Sequence, residues 1–256
     1  MNKKIIILSL LVIFASIGAY YSIVWRSGYM ISEITVTGNH SISREEILAV
    51  GRVKDSVMIE KDAEIELIQD RLMNHPEIKK AFVSKTPPSE LKIEIVEKRP
   101  VAILNTGSEL MLIDEELETF PFRQTAKTYD IPMISGVRIE NTLNPKSRFN
   151  KEDLHYALFL ILNSFNDSKI LYSNISEINL SDTGKSIVYL SEDSSPFYLP
   201  RDINKSITDE EYRNVLLGKL KIFEGYLKQS LDTHLKSEVK YVDLRYSNHV
   251  IVNSNH

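Results

Sequence analysis

The sequence predicts an α+β protein built from three consecutive parts: an N-terminal transmembrane helix, a β-α-α-β-β domain, and a mixed β domain with a long late helix. Three observations predict this class: an uncharged apolar run near the N-terminus, alternating strand-like and helix-like periodicities after it, and one long amphipathic segment near the C-terminus. The corresponding boundaries are 1–4 for a short cytoplasmic tail, 5–25 for the transmembrane helix, 30–100 for the first domain, 101–252 for the second, and 253–256 for a frayed tail.

Composition narrows the function classes before any motif is considered. The 256 residues are 43% hydrophobic and 26% charged, as in ordinary globular domains. The formal net charge of −4 argues against a general nucleic-acid binder, because such a protein needs a basic face to neutralise phosphates. The sequence contains no cysteine, which excludes disulfides, thiolate nucleophiles and cysteine-ligated zinc.

The first element is the apolar run. Residues 5–24 carry no charge, and twelve of the twenty are Ile, Leu, Val or Phe. A helix of this length spans the ~30 Å hydrocarbon core of a bilayer, because each residue adds about 1.5 Å. Lys3 and Lys4 precede the run, which predicts a cytoplasmic N-terminus and an extracytoplasmic bulk. Four aromatic residues occur towards its far end, where amphipathic rings favour the membrane interface: Tyr20, Tyr21, Trp25 and Tyr29.

A cleaved signal peptide is the alternative interpretation of this run. Its apolar region would be shorter, about 7–15 residues, and an A-x-A-like site would follow it. The stretch 16–19, Ser-Ile-Gly-Ala, is a poor cleavage site. The pattern therefore favours an uncleaved anchor.

The first domain opens with a strand, because Ile34 and Val36 alternate with polar residues and Gly38-Asn39 follow. Ser43 precedes Glu46 by three residues, which is the spacing of a capping box at the start of a short helix. A second helix follows Asp62 and ends at Pro76; its apolar residues, at helical spacing, are Ile65, Ile68 and Leu72. Two strands complete the domain, at 81–85 and 91–96, with a turn at 86–89.

The second domain shows shorter elements. A strand at 110–113 and a turn at 114–116 come first, and Asn150 is a candidate N-cap. The helix after Asn150 has an apolar face that uses Leu154, Leu158 and either Ile161 or Leu162. Three short strands follow at 175–180, 186–190 and 197–199, and a turn at 182–185 joins the first two. The pattern leaves the strands between 120 and 145 unassigned.

The last part combines a long helix with two strands. Thr208 lies three residues before Glu211, again a capping-box spacing. The helix that follows carries one apolar stripe, composed of Tyr212, Val215, Leu216, Leu220, Phe223, Tyr226, Leu227 and Leu231. Strand-like runs at 239–244 and 249–252 are joined by Ser247-Asn248. A terminal strand can lie at a sheet edge and pair with a partner's strand, or it can close its own sheet, and periodicity favours neither.

No motif predicts a catalytic, cofactor or metal site. Thr183-Gly184-Lys185-Ser186 matches the end of a phosphate-binding loop, but Asn179 stands where the motif requires its first glycine, so we interpret it as a hairpin turn. The six histidines include no pair at i, i+4. Adjacent carboxylates at 45–46 and 114–116 fall in predicted caps or turns, where charges are usually solvated.

Residues 31–104 resemble a POTRA domain of the FtsQ/DivIB family of bacterial cell division proteins. The resemblance is carried by ITVTGN at 34–39, ISREEI at 42–47, HPEIKKAFV at 75–83, PSELKI at 88–93 and VEKRPVA at 96–102. Later segments resemble the β domain that follows in this family: LID at 112–114, DIPMISG at 130–136, GKL at 218–220 and VDLRY at 242–246. The resemblance therefore extends over nearly the whole chain.

The resemblance implies a non-enzymatic, membrane-anchored scaffold of the divisome, acting during septum formation. It implies a single-pass protein of the cytoplasmic (inner) membrane at the division septum, with its bulk in the periplasm or outside the cell. The implied partners are single-pass proteins of the FtsB/DivIC and FtsL types, and no cofactor, nucleic acid or small-molecule substrate is implied. The tail before Ile5 is short, which argues against a docking role in the cytoplasm.

The family's partner site, at the end of its β domain, falls here on one continuous segment. By position, the residues are Tyr241, Val242, Asp243, Leu244, Arg245, Tyr246, Ser247, Asn248, His249, Val250, Ile251 and Val252, with Arg245, Tyr246 and Ser247 at the centre.

Two other functions compete with the scaffold. A POTRA-containing accessory protein of outer-membrane assembly or transport would carry repeated POTRA units or a barrel of alternating strands, and the sequence shows one such unit behind an N-terminal helix. A membrane-tethered enzyme would need nucleophile–base or metal-ligand spacings, which the sequence lacks.

Overall fold

The structure is a computed structural model that divides into two compact units, Met1–Lys98 and Arg99–His256. It describes residues 3–26, 29–31, 33–54, 57–59, 62–86, 89–123, 129–140, 148–191, 195–233, 239–247 and 249–254. Several predicted features fall at least partly outside these ranges, namely the turn residues Pro87 and Pro88, the link residue Asn248, and the terminal residues 1–2 and 255–256. The α+β class is confirmed.

The first unit contains three helices and five strands among its described residues. In chain order they are α1 (Lys3–Arg26), β1 (Tyr29–Ile31), β2 (Glu33–Thr37), α2 (Arg44–Gly51), β3 (Val57–Ile59), α3 (Asp62–Met73), β4 (Ile78–Thr86) and β5 (Glu90–Glu97). A three-stranded sheet has the order β2-β5-β4, in which β2 is parallel and β4 antiparallel to β5. The predicted β-α-α-β-β order is confirmed, and the two-stranded ribbon β1-β3 is an addition that the sequence did not predict.

The turn between β2 and α2 is fixed by one carboxylate and one glycine. The carboxylate of Glu97 accepts hydrogen bonds of 2.8–2.9 Å from the backbone amides of His40, Ser41 and Ile42. Gly38 has φ +81°, and a Cβ there would lie 2.0 Å from the carbonyl oxygen of Ile95, so only glycine fits. After the turn, Ser43 caps α2 by accepting from the amide of Glu46 at 3.1 Å, as predicted.

The second unit contains the remaining elements. They are β6 (Ala102–Asn105), β7 (Leu110–Ile113), β8 (Thr119–Pro121), β9 (Met133–Ser135), α4 (Lys151–Asp167), α5 (Lys169–Asn174), β10 (Ile175–Asn179), β11 (Lys185–Leu190), β12 (Phe197–Pro200), α6 (Glu210–Thr233), β13 (Val239–Asp243) and β14 (Ile251–Ser254). The described strands form one nine-stranded sheet of order β14-β13-β12-β11-β10-β9-β6-β7-β8. The unassigned region 120–145 supplies β9, which lies in mid-sheet and is parallel to both of its neighbours.

The core of the second unit lies between this sheet and the helices α4, α5 and α6. Asn150 caps α4 as predicted, accepting from the amide of Asp153 at 3.0 Å. Along α6, the buried members of the predicted stripe are Tyr212, Leu216, Leu220, Phe223 and Leu227. The Phe197 ring of β12 stacks on that of Phe223 with centroids 4.3 Å apart, which joins the sheet to α6.

A buried ion network ties the start of α4 to the strand ends beside it. Asp153 is 2% exposed and receives the Arg201 guanidinium at 2.7 Å and that of Arg138 at 2.8 Å. Arg201 also donates to the backbone oxygens of Leu180 and Asp182. Burial by itself raises the pKa of Asp153, but the hydrogen bonds from the two arginines lower it below its ordinary value.

The structure corrects three predictions for the second unit. The N-cap of α6 is Asp209, not Thr208, because its carboxylate accepts from the amides of Glu211 and Tyr212. Val215 belongs to the predicted stripe but is 45% exposed, since it lies at the margin of the contact face. Strand β14 continues to Ser254, so the predicted frayed tail is wrong for its first two residues, which pair with β13. The side chain of Leu231 lies outside the described part of the helix.

The N-terminal apolar run is helical, and α1 begins at Lys3, inside the predicted tail. Its large apolar side chains are exposed, including Leu8 at 64% and Phe14 at 79%. Across the described ranges, no helix combines the length and the hydropathy that a membrane crossing requires. The predicted transmembrane helix at 5–25 is therefore not confirmed.

Candidate partner interface

Strand β14 forms one edge of the nine-stranded sheet. It is antiparallel to β13, with Val242 opposite Val252 and Asp243 opposite Ile251, and it pairs with no other described strand. Its second edge therefore offers backbone N–H and C=O groups that can pair with an added strand. Of the two interpretations that the sequence left open for the terminal strand, the sheet order selects the edge.

The surface around this edge is apolar and exposed. The exposed fractions are 44% for Tyr246, 37% for Val250, 37% for Ile251 and 46% for Val252. Directly opposed residues of an antiparallel pair lie on the same face of a sheet. Val252 therefore lies on the face of the buried Val242, and Ile251 lies on the face of Asp243. An added strand would meet an apolar side chain on each face.

The strand behind the edge is held by a close ion pair. Asp243 is 4% exposed, and both of its carboxylate oxygens accept hydrogen bonds from the Arg245 guanidinium. The Nε atom donates to Oδ1 at 3.0 Å and the Nη2 atom donates to Oδ2 at 2.6 Å. Burial raises the pKa of Asp243 and the hydrogen bonds from Arg245 lower it, leaving it below its ordinary value. Val242 of β13 and Leu244, which follows the strand, are fully buried.

Aromatic rings and cations continue from β13 over the face that bears Asp243. The ring of Tyr241 stacks on that of Tyr198 with centroids 5.3 Å apart. The ammonium of Lys185 lies 4.0 Å from the Tyr198 centroid, and the guanidinium of Arg245 lies 5.9 Å from it. These contacts place the Arg245 guanidinium over β13 and β12, on the face that bears Asp243.

The link between β13 and β14 is held from α6 by Lys219, which belongs to the GKL segment at 218–220 but not to the predicted partner site. The ammonium of Lys219 donates to the backbone oxygen of Tyr246, although Lys219 is only 6% exposed. The Tyr246 ring also stacks on the His249 ring, with centroids 5.4 Å apart. The sequence signal that could have identified Lys219 is its position in the helix, between the apolar residues Leu216 and Phe223, where a buried side chain is expected.

The structure thus divides the predicted segment 241–252 into two groups. The side chains of Arg245, Tyr246, Ser247 and 249–252 are exposed, whereas those of Val242, Asp243 and Leu244 are buried and support the strand. Tyr241, at the start of the segment, is half-buried. Asn248 lies outside the described residues. The surface can offer backbone hydrogen bonds, apolar contacts and one guanidinium.

The other sequence motifs remain structural where the structure describes them. Gly184 donates to the Asp182 carboxylate at 2.8 Å within the hairpin between β10 and β11, as predicted for a turn. No group of three or more His, Asp or Glu side chains that could hold a metal ion occurs within the described ranges.

Comparison with known proteins supports the assignment made from the motifs. A family model described as "POTRA domain, FtsQ-type" matches residues 30–98. The chain is 28% identical over 264 residues to Cell division protein FtsQ of Koribacter versatilis, covering 97% of this chain and 69% of that protein. It is 26% identical over 247 residues to the protein of the same name from Syntrophotalea carbinolica, covering 93% of this chain and 81% of that protein. The chain is thus similar to FtsQ proteins along most of its length, and residues 30–98 match the FtsQ-type POTRA domain.

Other FtsQ proteins match to different extents. The alignment with that of Rhodothermus marinus is 23% identical and covers 79% of that protein, whereas the alignment with that of Anaeromyxobacter sp. covers 44%. In this chain, the POTRA match coincides with β2–β5 and the two helices between them. The candidate partner interface lies in the other unit, at the far C-terminal end.

Proposed function

We propose that this chain is a non-enzymatic scaffold of the bacterial divisome that binds FtsB/DivIC-type and FtsL-type partners through its C-terminal edge strand. The observation that carries the proposal is the open edge of β14 with exposed apolar side chains beside it. Similarity to Cell division protein FtsQ of several bacteria, together with the FtsQ-type POTRA match, supports a role in cell division.

The binding mode follows from the geometry of the edge. A partner segment in extended conformation adds a strand to β14, and the backbone hydrogen bonds supply sequence-independent affinity. The apolar side chains of Val252 and Ile251, on opposite faces, supply contacts that only a partner with matching side chains satisfies. Tyr246 and Val250 extend the apolar area at the end of the strand, where an aromatic residue favours a binding hot spot.

A charged residue at the edge tests this proposal. We expect Val252→Asp to weaken binding of the purified extracytoplasmic domain of the FtsB/DivIC-type partner at least about tenfold, because the interface would bury an unpaired carboxylate. Leu110→Asp is the matched control, since Leu110 is 40% exposed on β7, away from the β14 edge. Binding is measured by biolayer interferometry on the full chain in detergent.

Cells provide the second readout of the same variants. Depletion of the chain should give filamentous cells, which Leu110→Asp restores to normal division and Val252→Asp does not. Unchanged affinity of a folded Val252→Asp chain, or normal division after depletion, would contradict the proposed function.

We also propose that α1 attaches the chain to the cytoplasmic membrane once, with the bulk outside the cytoplasm and concentrated at the septum. Two observations support this: residues 5–24 carry no charge, and large apolar side chains such as Leu8, Phe14 and Ile17 project into solvent. We expect the chain to remain with membranes in alkaline carbonate and to be digested by protease added outside the cytoplasmic membrane. Recovery of the chain in the soluble fraction, or protection from the protease, would rule the attachment out.

A further inference from the structure

Lys219 occupies a buried position on α6 that an apolar residue would be expected to fill. It lies three residues after Leu216 and four before Phe223, and both of these side chains are fully buried. Residues three and four apart lie on one helix face. Placing an ammonium there costs desolvation, and replacement of buried charges by apolar side chains of similar volume is often stabilising. Packing of the core alone does not account for a lysine at this position.

The contacts of Lys219 lead to the candidate partner interface. Its ammonium donates to the backbone oxygen of Tyr246, in the link between β13 and β14. Burial lowers the pKa of Lys219, and the charge of Asp243 acts in the opposite direction. Asp243 is in turn held by Arg245, the residue just before Tyr246. The Lys219 side chain thus reaches from α6 to the link that connects β13 to the edge strand β14.

We propose that Lys219 is a positioning residue that fixes the 244–250 link, so that β14 and the Tyr246 side chain are already in the geometry that a partner strand needs. The inference rests on the proposed function. Lys219 itself is buried and need not touch the partner. Lys219 orders the link before the partner binds. Binding then carries a smaller loss of conformational entropy, so the affinity rises without an additional contact.

The test compares two lysines of the same helix. Lys219→Met keeps the length of the side chain and removes the ammonium, and Lys221→Met is the matched control at an exposed position two residues away. Hydrogen exchange of the full chain in detergent reports on the link, and the affinity for the purified FtsB/DivIC-type extracytoplasmic domain reports on binding. Lys219→Arg, which keeps a cation with several donors, tests rescue.

We expect peptides covering 244–252 to exchange about tenfold faster in Lys219→Met, the size expected for one lost charge-assisted hydrogen bond, while peptides from β10–β12 are unchanged. The affinity for the partner domain should fall by a similar factor. Lys221→Met should match the wild type in both measurements, and Lys219→Arg should recover most of the affinity.

Three results would overturn the inference: unchanged exchange at 244–252, unchanged affinity with the link loosened, or a Lys219→Met chain that no longer folds, since the lysine would then hold the whole unit. The Val252→Asp variant distinguishes a failure of the positioning role of Lys219 from a failure of the proposed function. If Val252→Asp still binds the partner, the proposed function fails. If Val252→Asp loses binding and Lys219→Met does not, the positioning role alone fails.

Discussion

Asp153 has two arginines around a carboxylate that is almost completely buried. Arg201 and Arg138 approach it at 2.7 and 2.8 Å, and its exposed fraction is 2%. We expect Asp153→Ala to lower the free energy of unfolding of the second unit by about 3–5 kcal/mol, because Arg201 would keep its buried charge without a counter-ion. The measurement is hydrogen exchange of peptides from 148–191 in the full chain.

The neighbouring Glu152 provides the control for this change. It lies in the same first turn of α4 but is exposed, so Glu152→Gln should cost less than about 1 kcal/mol, the size of a favourable interaction with the helix dipole. Equal losses in the two variants would show that the network around Asp153 contributes no more than a surface charge.

At the scale of single residues, local contacts could be predicted from the sequence and distant contacts could not. Ser43 and Asn150 cap their helices as their spacing indicates, because the acceptor and donor lie three residues apart. Asp153 meets Arg201, 48 residues away, and Lys219 meets Tyr246, 27 residues away. No spacing in the sequence specifies such pairs, since they depend on the order of strands in the sheet.

At the scale of elements, the long periodic segments were predicted and the shortest strands were not. The helices α3, α4 and α6 and the strands β4 and β5 each contain enough residues to show a period. Strands β1, β3, β8 and β9 have three residues each, too few for an alternation to be recognised. β9 nevertheless lies within the DIPMISG segment at 130–136, which carried the family resemblance. The resemblance marked this segment but did not predict that it forms a strand.

The candidate interface shows the same division at the scale of elements. The resemblance predicted the segment 241–252, and strand periodicity predicted two strands within it. Which strand lies outermost could not be decided, because an edge strand and an internal strand of this length have the same alternation. The pairing of β14 with β13, and of β13 with β12, decides it. Lys219 was missed because one cation within an apolar stripe looks like an ordinary solvated residue.

At the scale of the whole molecule, each unit has its own core and at least one carboxylate whose pKa is lowered. In the first unit, burial raises the pKa of Glu97, but the backbone amides of Ile42, His40 and Ser41 lower it below its ordinary value. In the second unit, Asp153 and Asp243 are likewise below theirs. Because the two cores are separate, unfolding of the chain need not be one two-state transition, and each unit is best followed by its own peptides.

Acid should therefore weaken both units. A carboxylate whose pKa is lower in the folded state binds fewer protons there than in the unfolded state, so the free energy of unfolding rises with pH in that range. The contribution of Glu97 is present above its unfolded pKa of about 4.3 and is lost as the pH falls through its folded pKa. Hydrogen exchange between pH 6 and pH 3, corrected for intrinsic rates, measures the loss.

Glu97→Gln should make the first unit less stable at pH 6 and reduce the acid-dependent part of its loss, because the amide carries no proton equilibrium and accepts the three backbone bonds less well. Glu94→Gln, at an exposed position of the same strand, should leave the pH dependence close to that of the wild type, since Glu94 meets Lys92 at 3.4 Å in a solvated pair. Peptides from 148–191 should respond to acid equally in both variants. The free energy of unfolding of the first unit in the wild type could also stay constant from pH 6 to pH 3, or rise as the pH falls. Either result would show that the three backbone amides at 40–42 do not favour the charged form of Glu97.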